Sequence, residues 1–289
     1  MMDNILEVSG LCKRYKGFAL KDVSFAVPRG TIMGLIGPNG AGKTTIIKLI
    51  MNLIRRQAGR VEVFGLDNLR HEPEVKSRIG FVYDTPCFPP DISLIRIKSA
   101  LAPFYSAWNE PLFRRLLEEF ELPAKKKFKT LSHGMKMKFA LALALAHEAE
   151  LILMDEPTAG LDPVFRQELL GRLSGLIQDE RKSVLFSSHI TTDLEKIADY
   201  VTFIHEGAVV FSAAKDEILE TWVLVKAGMR DVDVSGIPGL RGYRTGKFGL
   251  EALTSDAAAA RRRLGSKAVY DKPTLEDIMY FISKGNGHA

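Results

Sequence analysis

Two stretches of this chain carry residue types at spacings suited to chemistry on phosphate groups. The first is Gly37-Pro38-Asn39-Gly40-Ala41-Gly42-Lys43-Thr44, a Gly-x4-Gly-Lys-Ser/Thr run behind apolar residues 33–36 and ahead of a helical pattern. Glycines let the backbone curl until successive N–H groups point inward at phosphate oxygens, and the helix N-terminus adds partial positive charge. Lys43 then reaches the outer phosphates, the Thr44 hydroxyl suits Mg²⁺, and Thr45 can donate to an inner phosphate oxygen. A Gly-rich turn that merely starts a helix competes poorly, because it has no need of Gly-Lys-Thr in that order.

The second stretch spans residues 131–162. A polar turn, Leu131-Ser132-His133-Gly134-Met135, precedes a helical run. Residues 151–154 are fully apolar, as a central strand requires. Asp155-Glu156-Pro157 follows at its end, and open α/β sheets bind ligands outside the carboxyl ends of their strands. Asp155 would hold Mg²⁺ through water. Glu156 points elsewhere and could polarise an attacking water. Two solvated acids in a loop remain the competing reading of this pair alone; beside the phosphate loop, chemistry is favoured.

The elements that must position these residues alternate between strand-like and helical, the mark of an α/β domain with a largely parallel sheet. Strands are expected at 5–8, 23–27, 31–36, 61–64, 79–83, 151–154, 183–187 and 201–205, with Pro28-Arg29-Gly30 as a turn. A helix is expected over 42–51. From 89 to 129 the pattern is helical, with Leu112, Leu116, Leu117 and Phe120 at helical spacing, which suggests an inserted subdomain. Another helix is expected over 163–179, with Asp162 as N-cap and Pro163 first. Beyond about 215 the character shifts, and a last helix is expected from Thr274, with Glu276 and Asp277 in its first turn.

The 289 residues suit one large α/β domain plus an appendage. A formal charge of +5 is mild: it is compatible with a polyanionic ligand or an anionic membrane surface and argues little for nucleic acid. Arg261-Arg262-Arg263 reads as a solvated helix face. Cys12 and Cys87 imply neither a disulfide framework nor a metal cluster. The start of the chain, with Asp3 and Glu7, lacks a signal-peptide pattern. The longest apolar stretch, 139–146, is far below the roughly 18 residues of a membrane span. A cytosolic protein is expected, docked onto another subunit if it works at a membrane.

Taken together, the loop at 37–45, the turn at 131–135, the apolar-Asp-Glu-Pro run at 151–157, Ala159-Gly160-Leu161-Asp162 and Ser187-Ser188-His189 resemble, in order and spacing, the ATP-binding subunit of ABC transporters. The resemblance covers about residues 4–215. It implies an α/β fold with a P-loop NTPase (RecA-like) core, an N-terminal antiparallel β-subdomain and an inserted α-helical subdomain at about 89–148, all within an ATPase domain of residues 1–215. A small C-terminal α+β appendage is expected at 216–289. ATP and Mg²⁺ are the implied cofactors. Gly37, Pro38, Asn39, Gly40, Ala41, Gly42, Lys43, Thr44 and Thr45 would bind the nucleotide. Lys43, Glu156 and His189 would be catalytic, and Thr44 and Asp155 would serve the metal. By the same resemblance Tyr15 stacks on adenine and His189 contacts the γ-phosphate. Ser132 and Gly134 meet the nucleotide of a second ATP-binding subunit, and Asp162 belongs to the segment connecting the two sites.

Two motifs depart from the family. Asp84 stands where Gln is usual; it could meet Mg²⁺ but cannot donate a hydrogen bond while ionised. His133 and Met135 replace small and amide residues of Leu-Ser-Gly-Gly-Gln, which implies either weakened hydrolysis or a His133 that simply faces solvent. Residues 105–137 and the Pro273-Thr274-Leu275-Glu276-Asp277-Ile278 ending resemble bacterial export-type ATPases with separately encoded membrane subunits. The implied partners are a second ATP-binding subunit, identical or not, and integral membrane subunits, with no nucleic acid. A groove near Asp84 and Pro89 would pass motion to the membrane partner. The implied location is cytoplasmic, peripheral on the inner face of the cell membrane. The alternatives are a soluble ABC-type ATPase acting as a regulatory or assembly factor, and a nucleotide sensor with little hydrolysis.

Overall fold

The computed structural model describes residues 3–228, 236–246, 249–284 and 286–288. The expected strands at 5–8 and 23–27 extend into a long antiparallel pair, β1 (Asn4–Tyr15) and β2 (Phe18–Pro28). β3 (Ile32–Ile36) is buried along its whole length. α1 (Lys43–Ile50) follows, one residue shorter at each end than expected, because Gly42 in the left-handed region caps it. β4 (Ala58–Val63) and β5 (Leu66–Asp67) join the free side of β1, so an antiparallel sheet runs β2-β1-β4-β5. α2 (Glu72–Ser77) and β6 (Ile79–Val82) lead into the helical region.

That region holds α3 (Leu94–Leu101) and α4 (Glu110–Glu119), then α5 (His133–Ala146). Asn109 caps α4 by accepting from the Leu112 N–H at 2.9 Å, and Pro111 needs no N–H in the first turn. Ser132 caps α5 in the same way, accepting from Met135 N–H at 3.2 Å. The apolar stretch 139–146 is explained here: α5 is the buried helix of this unit, and Phe139 meets the rings of Phe88, Phe113 and Phe128. Among the described residues no helix is long and apolar enough to cross a membrane.

β7 (Leu151–Asp155), α6 (Pro163–Leu176), β8 (Ser183–Ser188), α7 (Thr191–Ile197), β9 (Tyr200–His205) and β10 (Ala208–Ala214) complete the centre. The central sheet runs β10-β9-β3-β8-β7-β6, parallel except for β10. Asp162 caps α6 as expected, accepting from Val164 and Phe165 N–H groups. α6 stops at Leu176, three residues before the expected end, where the chain turns. Side chains alternate across the sheet. Ile32, Ile36, Ile152 and Met154 face the helical core; Met33, Leu35, Leu151 and Leu153 face α1 and the antiparallel sheet.

α8 (Lys215–Thr221) leads to β11 (Val223–Ala227), β12 (Leu240–Gly246), β13 (Gly249–Thr254), α9 (Ala257–Leu264), β14 (Ala268–Asp271), α10 (Leu275–Lys284) and β15 (Asn286–His288). These strands form a third sheet in the order β14-β11-β13-β12-β15. Val223, Val225, Leu250 and Ala252 pack beneath Ala260 and Leu264 of α9, leaving Arg261, Arg262 and Arg263 exposed. Leu224 and Leu253 turn to the opposite face and share one core with Leu275, Ile278 and Phe281 of α10 and with the helical unit. Residues 229–235, 247–248, 285 and 289 of the expected appendage lie outside the described residues.

Candidate active site at the carboxyl ends of the central strands

Four neighbouring parallel strands, β3, β8, β7 and β6, each deliver part of one site from their carboxyl ends. β3 runs into the phosphate-type loop. Gly37 there has φ +157°, and a Cβ on it would stand 2.3 Å from the Ile204 carbonyl oxygen, so only glycine lets the loop pass β9. Gly42 has φ +114°, and its Cβ would stand 2.6 Å from Leu20 and 2.9 Å from Phe18, so the β1–β2 hairpin lies directly against the loop. β7 ends in Asp155. The next residue, Glu156, has φ +49°, a left-handed conformation that is uncommon for a side-chain-bearing residue. This twist separates the two adjacent acids: Asp155 stays buried under the sheet and Glu156 swings toward the loop.

Lys43 is buried, and its Nζ donates to the carbonyls of Gly37 (2.7 Å) and Pro38 (3.3 Å) while pairing with Glu156 Oε1 at 3.1 Å. The other oxygen of Glu156, Oε2, lies 2.7 Å from His189 Nδ1 and accepts from the His189 backbone N–H at 3.2 Å. A carboxylate only accepts, so Nδ1 carries the proton of that contact. Loop lysine, carboxylate and histidine thus form one continuous chain.

Ser187, which the sequence presented only as part of a tripeptide, organises both acids. Its Oγ donates to Asp155 Oδ1 at 2.7 Å and accepts from the Glu156 N–H at 3.0 Å. Burial pushes the Asp155 carboxyl up; hydrogen bonds from Ser187 and Thr44 pull it down, while the charges of Asp84 and Glu156 raise it further. Its Oδ2 is buried without a well-formed hydrogen bond. An orphaned carboxylate oxygen beside a threonine hydroxyl, in a field of three acids, fits a hard cation such as Mg²⁺. No group of three or more His, Cys, Asp or Glu with metal-holding geometry occurs among the described residues, so protein side chains alone form no cage. Asp84 contributes charge here, and its Oδ1 accepts from the Thr85 N–H at 2.6 Å.

These groups surround a cavity of about 550 Å³. Asn39 through Thr45, Asp84, Glu156 and His189 line it. Gly37 and Pro38 stand behind Lys43, and Asp155 lies beneath. Tyr15, Ser132 and Gly134 do not line it. Tyr15 is 44% exposed on the hairpin, with Lys13 Nζ 5.4 Å from its ring centroid. Ser132 is spent on capping α5, and Gly134 opens onto space. Phe18, Thr85, His133 and Ala159 do line it, and none was singled out as a ligand from sequence. Phe18 gave a signal, an aromatic residue three positions past Tyr15. His133 is exposed, and its Nε2 also lies 3.3 Å from the Ala159 carbonyl.

A second cavity, about 420 Å³ and mainly apolar, opens between the helical unit and the end of β6. Leu53, Tyr83, Cys87, Phe88, Leu101 and Tyr105 form its walls. Tyr105 stacks on buried His147 at 4.0 Å between ring centroids. Lys48 of α1 reaches over the Tyr83 ring, 5.4 Å from its centroid, and the hydrogen bond with Tyr83 holds the Lys48 pKa above its ordinary value. The wall of this groove is therefore one residue from Asp84 and shares α1 with Lys43.

A family model described as ABC transporter matches residues 20–159. The chain is 32% identical over 213 residues to the bacitracin transport ATP-binding protein BcrA of Enterococcus faecalis, spanning 73% of this chain and 69% of that protein. It is 32% identical over 224 residues to the daunorubicin resistance ATP-binding protein DrrA3 of Streptomyces coeruleorubidus, spanning 75% and 71%. Among solved structures, the ATP binding subunit of an ABC transporter superposes with a TM-score of 0.69 at 30% identity, over 75% of this chain and 92% of that one.

Proposed function

This chain belongs to the ABC transporter family as an ATP-hydrolysing ATP-binding subunit; from that premise we propose that it closes head-to-tail on a second such subunit around Mg-ATP and drives export through separate membrane subunits. The observation that carries the site assignment is the Lys43–Glu156–His189 chain beside the loop. Loop N–H groups and Lys43 would hold the phosphates, and Thr44 and Asp155 would hold Mg²⁺, which would supply neutralisation of the phosphate charge. To meet a phosphate, Lys43 Nζ exchanges its contacts with Gly37, Pro38 and Glu156 for phosphate oxygens. Glu156 is then free to take the proton of an attacking water, with His189 fixing its orientation. Tyr15, exposed on the hairpin, takes the adenine face, and Phe18 closes the phosphate end.

Ser132 and Gly134 do not line this chain's own cavity, which supports their serving a partner's nucleotide. The apolar groove beside Asp84 supports docking of a membrane subunit, and with it a peripheral position on the cytoplasmic face of the membrane. Relatives named for bacitracin transport and daunorubicin resistance support export as the direction. Glu156→Gln tests the assignment: steady-state turnover falls on the order of 10²–10⁴-fold while ATP binding persists. Unchanged turnover refutes the role of Glu156. Affinity purification in detergent tests the partner: an integral membrane protein in the complex supports transport, and a wholly soluble complex favours an assembly or regulatory ATPase.

A further inference from the structure

His189 is followed almost at once by α7, and α7 is gripped from three sides. Arg166 of α6 places its Nε 2.8 and 2.9 Å from the two oxygens of buried Asp193. Leu194 lies over β3 at Gly34, where a Cβ would stand 2.8 Å from the leucine Cδ2. The third grip comes from the C-terminal unit: Glu195 Oε1 accepts from the backbone N–H of Leu275 at 2.6 Å.

Leu275 opens α10, and its N–H is one of those an α-helix leaves without an internal partner. Its neighbours satisfy one another: Thr274 Oγ1 accepts from the Asp277 N–H at 3.0 Å, and Asp277 Oδ2 accepts from the Thr274 N–H at 2.9 Å. Leu275 N–H is left for Glu195, whose charge also meets the positive end of α10. Behind this contact Leu275, Ile278 and Phe281 are buried in the same core as Leu194. Lys215 Nζ adds a hydrogen bond to the Glu195 carbonyl at 2.9 Å. α7 has only seven residues, too few to be stable alone, so its placement is set by what holds it.

We propose that Glu195 is a positioning residue for His189, and that α10 of the C-terminal unit sets, through it, where the histidine stands against Glu156. The inference rests on the roles given to His189 and Glu156 above. A displaced α7 carries His189 Nδ1 away from Glu156 Oε2, and Glu156 loses the contact that orients it.

The test uses the full-length chain in five forms: wild type, Glu195→Ala, Glu195→Gln, His189→Ala and the Glu195→Ala/His189→Ala double variant. ATPase kinetics are measured with amide exchange over residues 189–197. Glu195→Ala lowers kcat on the order of 10-fold, a typical coupling between sites, with KM for ATP nearly unchanged. Glu195→Gln keeps the accepting oxygen and retains most turnover. Exchange over 189–197 rises in Glu195→Ala, and the substitution adds no further loss when His189 is already alanine. Wild-type kcat in Glu195→Ala, or an equal loss in both backgrounds, overturns the positioning role while leaving the hydrolysis reading intact. Normal turnover in His189→Ala overturns the role of His189 and the proposal with it.

Discussion

Ser187 is the smallest group in the site and the one whose loss disturbs most partners. Its hydroxyl is the hydrogen-bond donor to Asp155 Oδ1 and an acceptor for the Glu156 N–H, and Ser187 and Asp155 are both fully buried. Ser187→Ala leaves the buried carboxylate with neither oxygen well bonded. An orphaned buried polar group costs about 1–3 kcal/mol, so the urea midpoint drops by that equivalent while the m-value holds. Lys43 carries a different expectation. Its charge is already neutralised by Glu156 in the ligand-free chain, so Lys43→Met removes a phosphate contact and also releases Glu156. A hydrogen bond to a charged group contributes about 1.5–3 kcal/mol, which corresponds to roughly 10–150-fold weaker ATP binding in a calorimetric titration.

Among the elements, α4 illustrates how a first-turn carboxylate can carry a pH dependence. Burial pushes the Glu110 carboxyl up, but hydrogen bonds from Trp108, Lys98 and Arg114 outweigh it and hold it at about 2. A carboxyl held below its ordinary 4.5 favours the fold above that value, and the benefit is lost as pH falls toward 2. The difference in Tm between wild type and Glu110→Gln is therefore full above pH 4.5 and shrinks on acidification, which a thermal-melt series from pH 7 to 3 checks. Legibility in the sequence followed burial. β3, β7 and β8 are buried along their length; β3 and β7 appear as nearly continuous apolar runs and β8 as a shorter one at 184–186, and the motifs at their ends located the site. β1 and β2 extend well beyond their apolar cores because their outer halves carry Lys13, Arg14, Lys21 and Asp22, which leave no alternation to read. Phe18 looked like any hairpin aromatic, since its role depends on Gly42 being close in space. The link between Glu195 and Leu275 has no local signature at all: each half is an ordinary residue until the fold joins them.

For the whole molecule, assembly is the property most open to measurement. If two chains close around two nucleotides, Glu156→Gln, which binds ATP without consuming it, sediments as a dimer with Mg-ATP and as a monomer with Mg-ADP, because only ATP supplies the phosphate that bridges the closed state. The apolar groove gives a separate handle. Leu53 is 52% exposed at its rim, so Leu53→Glu reduces recovery of the membrane partner in a pull-down while ATP binding stays at the wild-type level. The strand order of the central sheet also bears on how the chain matures. Lys43 follows β3 and Glu156 follows β7, yet these strands are not neighbours; β8, synthesised after both, lies between them. Until that wedge is seated, the two halves of the site share no ladder of hydrogen bonds, and a chain truncated before residue 183 has nothing to align lysine with carboxylate. Such a long-range closure is late and slow. Nucleotide then acts as a quality inspector: it recognises only molecules whose last central strands are in place, and at a hundredfold excess over Kd it adds about 2.7 kcal/mol to their stability. In a cell rich in ATP, finished copies are selected by the ligand they were built to consume.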